Sequence, residues 1–127
     1  MAQQIVPTSE QSALLAGLPA DEPVVINLLK FKEPDGASHD VRYGREVVPH
    51  LEAVGARALY AGSARAFVIG EGSRPWWDAI LVVEYPTPKA FMSMVTSEGY
   101  ADVHVHREAA LERGAELIAA STWDMGV

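Results

Sequence analysis

Two polar residues, Asn27 and Arg107, stand where the surrounding sequence is apolar. Asn27 lies within residues 24–32, an apolar, strand-like segment, and Arg107 lies in the apolar stripe of a helical segment that ends near residue 113. Asparagine is depleted in strands, and a buried guanidinium is costly unless it contacts a carboxylate, a carbonyl or a ligand anion. Each residue therefore has either a structural partner or a ligand.

The structural alternatives are specific. Arg107 could form an ion pair with Asp78 or Glu84, or extend its head group to the rim of the core. Asn27 could hydrogen-bond a side chain of a neighbouring strand, or face a cavity and bind a ligand carbonyl. Histidine is a residue type that serves as an acid or a base, so we predict His106 and its neighbour Arg107 as a catalytic pair, against the alternative of an exposed helix histidine.

Further side chains are candidates for the wall of a ligand pocket. Tyrosines combine an apolar body with a polar tip, which suits a pocket wall and a core equally well. An arginine in a strand lines a cavity or faces solvent according to its register, and the tryptophan pair at 76–77 suits packing or a dimer contact as well as a site. The predicted ligand-binding residues are Asn27, Tyr43, Tyr60, Arg65 and Trp77.

The sequence predicts no metal site and no cofactor. It contains no cysteine. His104 and His106, two apart on a helix, point about 200° apart and cannot share an ion. Glu46 and His50 make a single i,i+4 pair without a third ligand. No phosphate-binding loop or nucleophile elbow is recognisable.

Composition excludes several classes of partner. The 127 residues are enough for one domain with a core. Seventeen acidic against ten basic residues give a net charge of −7, which disfavours nucleic acids and anionic membranes as partners. No apolar run reaches transmembrane length and no signal-peptide pattern opens the chain, so we expect a cytoplasmic protein.

The apolar pattern predicts a helical extension over 1–22 and a core over 23–124. Thr8 and Gln11 form a capping box for the first helix. The predicted strands of the core cover 24–32, 56–69, 80–83 and 117–123, and the second has a bulge or strong bend at Gly62 and Ser63. The predicted helices run from an Asp40 cap to about Ala53, with a kink or a restart at Pro49, from Thr87 to Met94, and from Ser97 to about Arg113.

This order is βαββαβ, the ferredoxin-like pattern of an α+β fold with a four-stranded antiparallel sheet. The helices cover one face of that sheet. The unbroken apolar run Ile80–Val83 indicates that the opposite face is covered as well. We therefore predict a homodimer in which two sheets close over each other as a dimeric α+β barrel.

Sequence segments across residues 20–120 resemble one family. They are Asn27–Lys32, Tyr43, Gly55–Arg57, Trp77–Asp78, Glu84–Thr87, Phe91, Ser97–Tyr100 and His106–Arg107. The chain resembles the domain of unknown function 1330 family of the dimeric α+β barrel superfamily. One departure is Ser97-Glu98-Gly99-Tyr100, where the family usually has Ser-Pro-Glu-Tyr.

The resemblance implies several functions and selects none. The superfamily includes cofactor-free monooxygenases, haem-degrading enzymes, isomerases and stress-response proteins without known catalysis, and a shared fold does not choose among them. Three hypotheses stay open. The protein binds a small apolar or aromatic carbonyl compound, as a cofactor-free oxygenase or isomerase; it is a non-catalytic ligand-binding or stress-response module; or it is a structural dimer without a pocket. A cavity beside Asn27 would separate the first two from the third.

Overall fold

The computed structural model describes residues 7–18 and 24–121, with the backbone alone at 113–115. In chain order the elements are α1 (Ser9–Ala16), β1 (Val24–Phe31), α2 (Gly36–Ala53), β2 (Arg57–Ser63), β3 (Ala79–Glu84), α3 (Pro88–Val95), α4 (Tyr100–Ala110) and β4 (Leu111–Ala120). None of these helices is long and apolar enough to cross a lipid bilayer. The predicted turn at 19–23 and the predicted end of the last strand lie outside the described residues.

The strands form one antiparallel sheet in the order β2-β3-β1-β4. The predicted α+β class is confirmed. β1 lies between β3 and β4, and Asn27 pairs with Leu81 on one side and with Leu117 on the other. Because paired residues of antiparallel strands point to the same face, these three side chains share a face in the middle of the sheet.

The two faces of the sheet differ in burial. On β1, Val25, Asn27 and Leu29 are buried beneath the helices, and we call their side the inner face. Ile26 and Leu28 alternate with them on the outer face and are half-buried. The main core packs between the inner face and the helices. Its buried members are Val25, Tyr43, Val47, Ala56, Val83, Tyr85, Ala90, Phe91, Met94, Tyr100 and Val103.

β2 is shorter than predicted. It ends at Ser63 rather than near residue 69, and its register against β3 shifts between Ala58 and Tyr60, so the bulge is not at Gly62. Gly62 has a different role, because a Cβ there would collide with the Tyr60 hydroxyl. The glycine allows the tyrosine ring to lie flat across the outer face, as aromatic side chains do over strand glycines.

Two helix starts are as predicted. Thr8 and Gln11 form the reciprocal capping box, with distances of 3.0 and 3.1 Å. At α3, the Thr87 hydroxyl accepts from the Ala90 amide, and proline occupies the first helical position.

α2 differs from its prediction at its start. It begins at Gly36, with Asp35 rather than Asp40 as N-cap, and Gly36 packs too closely against the Ala110 carbonyl to carry a Cβ. It ends at Ala53, as predicted, and is continuous through Pro49. Pro49 is exposed, so the carbonyl that loses its helical partner is free to bind water.

α4 begins and ends inside its predicted limits. Its N-cap is Gly99, in the left-handed region with φ of 90°, while the Ser97 hydroxyl donates to the Met94 carbonyl instead of capping. A left-handed residue is tolerated best as glycine. The helix ends at Ala110, whose carbonyl accepts from the Lys32 amide at 2.7 Å, and β4 starts at the next residue, earlier than predicted.

Candidate functional site

A cavity of about 610 Å³ lies between the inner face of the sheet and the four helices. Its walls are mainly apolar and come from every helix and from β1, β3 and β4. The polar residues of the sheet and of the α2–α4 pair that line the cavity are Asn27, Tyr43, Tyr100, His104, Arg107 and, on the edge strand β4, Glu116. A volume of this size, mostly apolar and with a few convergent polar groups, is typical of small-molecule sites.

Arg107 is 9 % exposed and forms no ion pair with any described residue. The carboxylates proposed as its partners are engaged elsewhere. Asp78 lies 3.4 Å from Lys30, and Glu84 lies 2.9 Å from Arg57. The structural-ion-pair interpretation of Arg107 is therefore wrong for these two carboxylates.

The Arg107 guanidinium stacks on an aromatic ring instead. Its central carbon lies 4.3 Å from the centroid of the Tyr43 ring, while Nη1 is shielded from solvent and has no hydrogen-bond partner in the described chain. Burial raises the pKa of the Asp40 carboxyl, and the nearby charge of Arg107 opposes that shift. The cation–π contact stabilises the guanidinium but leaves donor capacity unused.

The hydroxyls of Tyr43 and Tyr100 are 2.7 Å apart and buried. α2 supplies the first and the first residue of α4 supplies the second, so the Gly99 cap directly positions the pair. Either hydroxyl is able to donate. Burial is the main cause that raises the pKa values of Tyr100 and of neighbouring Tyr85 above their usual range. Tyr100 and Tyr85 are therefore neutral hydrogen-bond donors at physiological pH.

Asn27 is 4 % exposed, and its amide nitrogen contacts the carbonyls of Val25 and Leu81 at 3.3 and 3.2 Å. Asn27 therefore does bond a neighbouring strand, but the acceptor is the Leu81 backbone carbonyl and not a side chain as predicted. Because both amide hydrogens are used, Asn27 has none left for a ligand carbonyl. Its oxygen Oδ1 receives no hydrogen bond from the described residues, so it remains an acceptor.

His104 lines the cavity and was not among the predicted site residues. Neither ring nitrogen has a hydrogen-bond partner in the described ranges, and Nε2 lies 3.7 Å from a Glu108 carboxylate oxygen, too long for a hydrogen bond. Burial lowers the His104 pKa, against the raising effect of Glu108. Helical spacing could have identified it, because it follows Tyr100 by four residues and precedes Arg107 by three.

His106, by contrast, does not line the cavity. Its Nε2 lies 2.9 Å from a Glu46 carboxylate oxygen, so it ties α4 to α2. Successive helix residues point about 100° apart, so His106 faces a different side from Arg107. The structure does not bring the predicted catalytic pair together.

Three predicted ligand-binding residues also lie outside the cavity wall. Tyr60 is 58 % exposed on the outer face of the sheet. Arg65 is exposed in the segment after β2. Trp77 is half-buried before β3, with its ring edge-on to Trp76 at 4.8 Å. Of the seven predicted site residues, the cavity gathers Asn27, Tyr43 and Arg107.

The histidines and acids of the described ranges form no group of three that could hold a metal ion. Glu46 contacts Arg42 at 3.4 Å as well as His106, and His50 packs edge-on to the Tyr100 ring at 5.9 Å. The Glu46–His50 pair considered from sequence is therefore not formed. Metal independence stays a prediction.

Comparison with known proteins identifies a shared fold and no activity. No family model and no curated protein matches the chain. A protein of unknown function from Rhodopseudomonas palustris, RPA0582, superposes with a TM-score of 0.81 at 27 % identity, covering 97 % of this chain and 99 % of its own. The structure of methylated RPA0582 gives 0.79 and 28 %, with full coverage of both chains. The α+β fold is thus shared from end to end with a solved structure.

Proposed function

We propose that this protein binds a small, mostly apolar or aromatic compound through a carbonyl-type oxygen, inside the cavity on the inner face. One observation carries the proposal. Arg107 is a buried cation beside that cavity and forms no ion pair with a described residue, although the Asp40 carboxyl interacts with its charge at longer range. Burying an uncompensated charge costs several kcal/mol, so a ligand oxygen that meets it gains a strong interaction.

The apolar lining of the cavity determines the polarity of the rest of the ligand. Leu81 and Leu117 flank Asn27 on the inner face, and Val83, Phe91 and Met94 are further apolar lining. Transfer of apolar surface into such walls contributes about 25 cal/mol per Å². Most of the affinity therefore comes from an apolar body, while the few polar groups orient it.

A ligand screen tests the proposal. Small aromatic and branched aliphatic ketones, aldehydes, acids and amides are added one at a time, and the unfolding temperature is measured, followed by titration calorimetry of every compound that raises it. We expect at least one class to bind with a Kd below about 100 μM and to stabilise the fold by mass action.

A cavity-filling variant locates the binding. Leu117→Trp places a larger side chain over the cavity on the edge strand, and we expect it to abolish binding while the fold persists. Val41→Trp, on an exposed position of α2 outside the cavity, is the matched control. Binding that survives Leu117→Trp and Arg107→Met together would place the ligand elsewhere.

Catalysis is the second candidate function, and His104 is the observation that favours it. Its ring borders the cavity, and burial lowers its pKa, so it is a neutral base at pH 7. An isomerase that needs no cofactor begins by removing a proton next to a carbonyl. NMR detection of deuterium exchange at that carbon of a bound ketone, lost in His104→Phe, would support turnover. Binding without exchange would leave a non-catalytic ligand-binding module.

We further propose that the chain is a ferredoxin-like unit of a dimeric α+β barrel that acts in the cytoplasm. The support is the outer face, where Tyr60, Val82, Ile26 and Ile118 stand side by side across all four strands. Tyr60 and Ile118 are about half exposed, and no described residue covers them. A second copy, sheet against sheet, would bury this row.

A further inference from the structure

We propose that the cavity takes its ligand as a monoanion: the carboxylate, or the ionised phenol or enol, of a small apolar molecule, with its charged oxygen between Arg107 and the Tyr43–Tyr100 pair. This inference rests on the proposed function and goes one step further. It states the charge of the ligand, which separates apolar acids from neutral ketones, aldehydes and amides of the same shape.

The first step in the argument is the charge balance of the site. Arg107 is the strong cation of the wall, and the one carboxylate among the described lining residues is Glu116. Glu116 pairs with Leu28 in the sheet register, which directs its side chain to the outer face, and it is exposed. Asp40 interacts with the charge of Arg107 but forms no ion pair with it, and burial raises the pKa of this carboxyl. The inner side of the cavity therefore carries one positive charge without a carboxylate in contact.

The second step is the supply of donors beside that charge. The 2.7 Å contact between Tyr43 and Tyr100 uses one hydroxyl proton, because only one of the two oxygens donates in a pair. The other proton is free to donate to a ligand oxygen. The Arg107 guanidinium lies over the ring of the same Tyr43, so its unused N–H groups and the free hydroxyl proton belong to one region of the wall.

The third step is the preference of such a group of donors. Hydrogen bonds from a guanidinium and a hydroxyl to a charged oxygen are roughly twice as strong as those to a neutral oxygen. A neutral carbonyl would leave the charge of Arg107 uncompensated in an environment of low dielectric constant. An anionic oxygen removes that penalty and uses the same donors, so the site distinguishes the two forms of one ligand.

The fourth step limits the ligand to one negative charge. Burial disfavours the charged form of His104, so this histidine adds no second cation to the wall near neutral pH. Asn27 offers only its amide oxygen, an acceptor that repels a second anionic oxygen. The remaining wall is apolar, which excludes dicarboxylates and phosphate esters.

The test uses two probes of equal shape, 2-naphthoate and 2-naphthamide, which differ in charge. Titration calorimetry at pH 7 should give at least about tenfold tighter binding of the carboxylate to the unmodified protein. In Arg107→Met the preference should disappear, and in Arg107→Lys, which keeps the charge, most of it should return. Arg65→Met, which removes an exposed arginine outside the cavity, should keep the full preference. Circular dichroism checks that each variant is folded.

A coloured probe reports the charge of the bound form directly. The absorbance of 4-nitrophenol distinguishes the phenol from the phenolate. At about one pH unit below its solution pKa, addition of excess protein should raise the phenolate fraction, and Tyr100→Phe should reduce that rise.

Three results would overturn the inference. Equal or tighter binding of the amide, or bound nitrophenol in its neutral form, would show a site for neutral carbonyl compounds and leave the proposed function intact. A preference for the carboxylate that survives Arg107→Met would place the anion elsewhere. Failure of both naphthalene probes to bind at about 1 mM would count against the proposed function as well.

Discussion

The two faces of the sheet differ in whether their charged side chains form ion pairs. On the outer side, Lys30 pairs with Asp78 at 3.4 Å near one end, and Arg57 pairs with Glu84 at 2.9 Å near the other. Between these ion pairs the outer face is mainly apolar, and Glu116 on the edge strand β4 is a charged exception. On the inner side, Arg107 has no ion pair with a described residue, although it is far more buried than Arg57.

This difference distinguishes charged residues that are paired within the fold from one that is available to a ligand. Charges at the ends of the outer face are satisfied within the chain, so nothing further is needed there except cover for the apolar centre. We expect the unpaired Arg107 to destabilise the ligand-free protein. The proposals that follow from this difference are a second copy of the chain on the outer face and a ligand at the inner face.

The largest expected effect is the loss of the proposed dimer through a substitution on the outer face. Ile118 is 49 % exposed on the edge strand β4, at one end of the apolar row, and Ile118→Asp would place a charge inside the proposed interface. We expect the dimer Kd to rise at least about 100-fold, because a buried unpaired carboxylate costs several kcal/mol. Light scattering should then give one chain mass, 13.7 kDa, instead of two.

The control for this experiment is Val68→Asp, at a residue that is 98 % exposed away from the sheet, and it should remain dimeric. A mass of one chain for the unmodified protein at micromolar concentration would refute the dimer. An unchanged dimer in Ile118→Asp would show that the outer face is not the interface.

The next effect concerns the inner face without ligand. Arg107→Met keeps the length of the side chain and removes the buried charge, so we expect the free energy of unfolding to rise by about 1 kcal/mol. The lost contact with the Tyr43 ring offsets part of a larger gain. Urea denaturation of the ligand-free protein measures the change.

Arg57→Met is the matched control for that comparison. Its guanidinium is mostly exposed, and the loss of its pair with Glu84 should cost at most about 1 kcal/mol. A loss of more than about 3 kcal/mol in Arg107→Met would show a structural anionic partner for this arginine and remove the basis of the ligand site.

A smaller effect compares two tyrosines on opposite faces. Tyr100→Phe deletes one hydroxyl of the buried 2.7 Å pair, and we expect a loss of about 1 kcal/mol of unfolding free energy. Tyr60→Phe deletes an exposed hydroxyl on the outer face and should change stability by less than about 0.5 kcal/mol. Equal effects of both substitutions would show that the Tyr43–Tyr100 bond contributes nothing to stability.

The sequence identified cavity residues at positions where a polar residue interrupts an apolar pattern. Asn27 and Arg107 were identified in this way, and both line the cavity. The choice of His106 instead of His104 failed because adjacent helix residues face different sides. The stripe through Tyr100 and Arg107 already indicated which histidine shares their side.

Other features depended on contacts that no local pattern contains. Nothing near Gly36 in the sequence shows that the Ala110 carbonyl approaches it, or that α2 begins there, ahead of the predicted cap. The register shift between Ala58 and Tyr60 likewise depends on the pairing with β3. Long-range packing, rather than propensity, fixed these boundaries.

The smallest expected effect is the pH dependence of stability that His104 causes. Because burial lowers the His104 pKa in the folded protein, the unfolded chain binds more protons just below about pH 6.5, the ordinary value for histidine. The stability contributed by neutral His104 is therefore complete above that pH and is lost as the pH falls through it. Asp40, whose pKa burial raises, acts in the opposite direction at lower pH, so it does not imitate this loss.

Two variants test how much His104 contributes to the loss of stability on acidification. Urea denaturation at about pH 7.5 and pH 5.5 should show a smaller acid-induced loss in His104→Leu than in the unmodified protein. Glu108→Gln should show a larger loss, because Glu108 raises the His104 pKa and its charge lies 3.7 Å from Nε2. If both variants lost the same stability on acidification as the unmodified protein, His104 would not be a buried neutral base, and its proposed role in proton removal would fall with it.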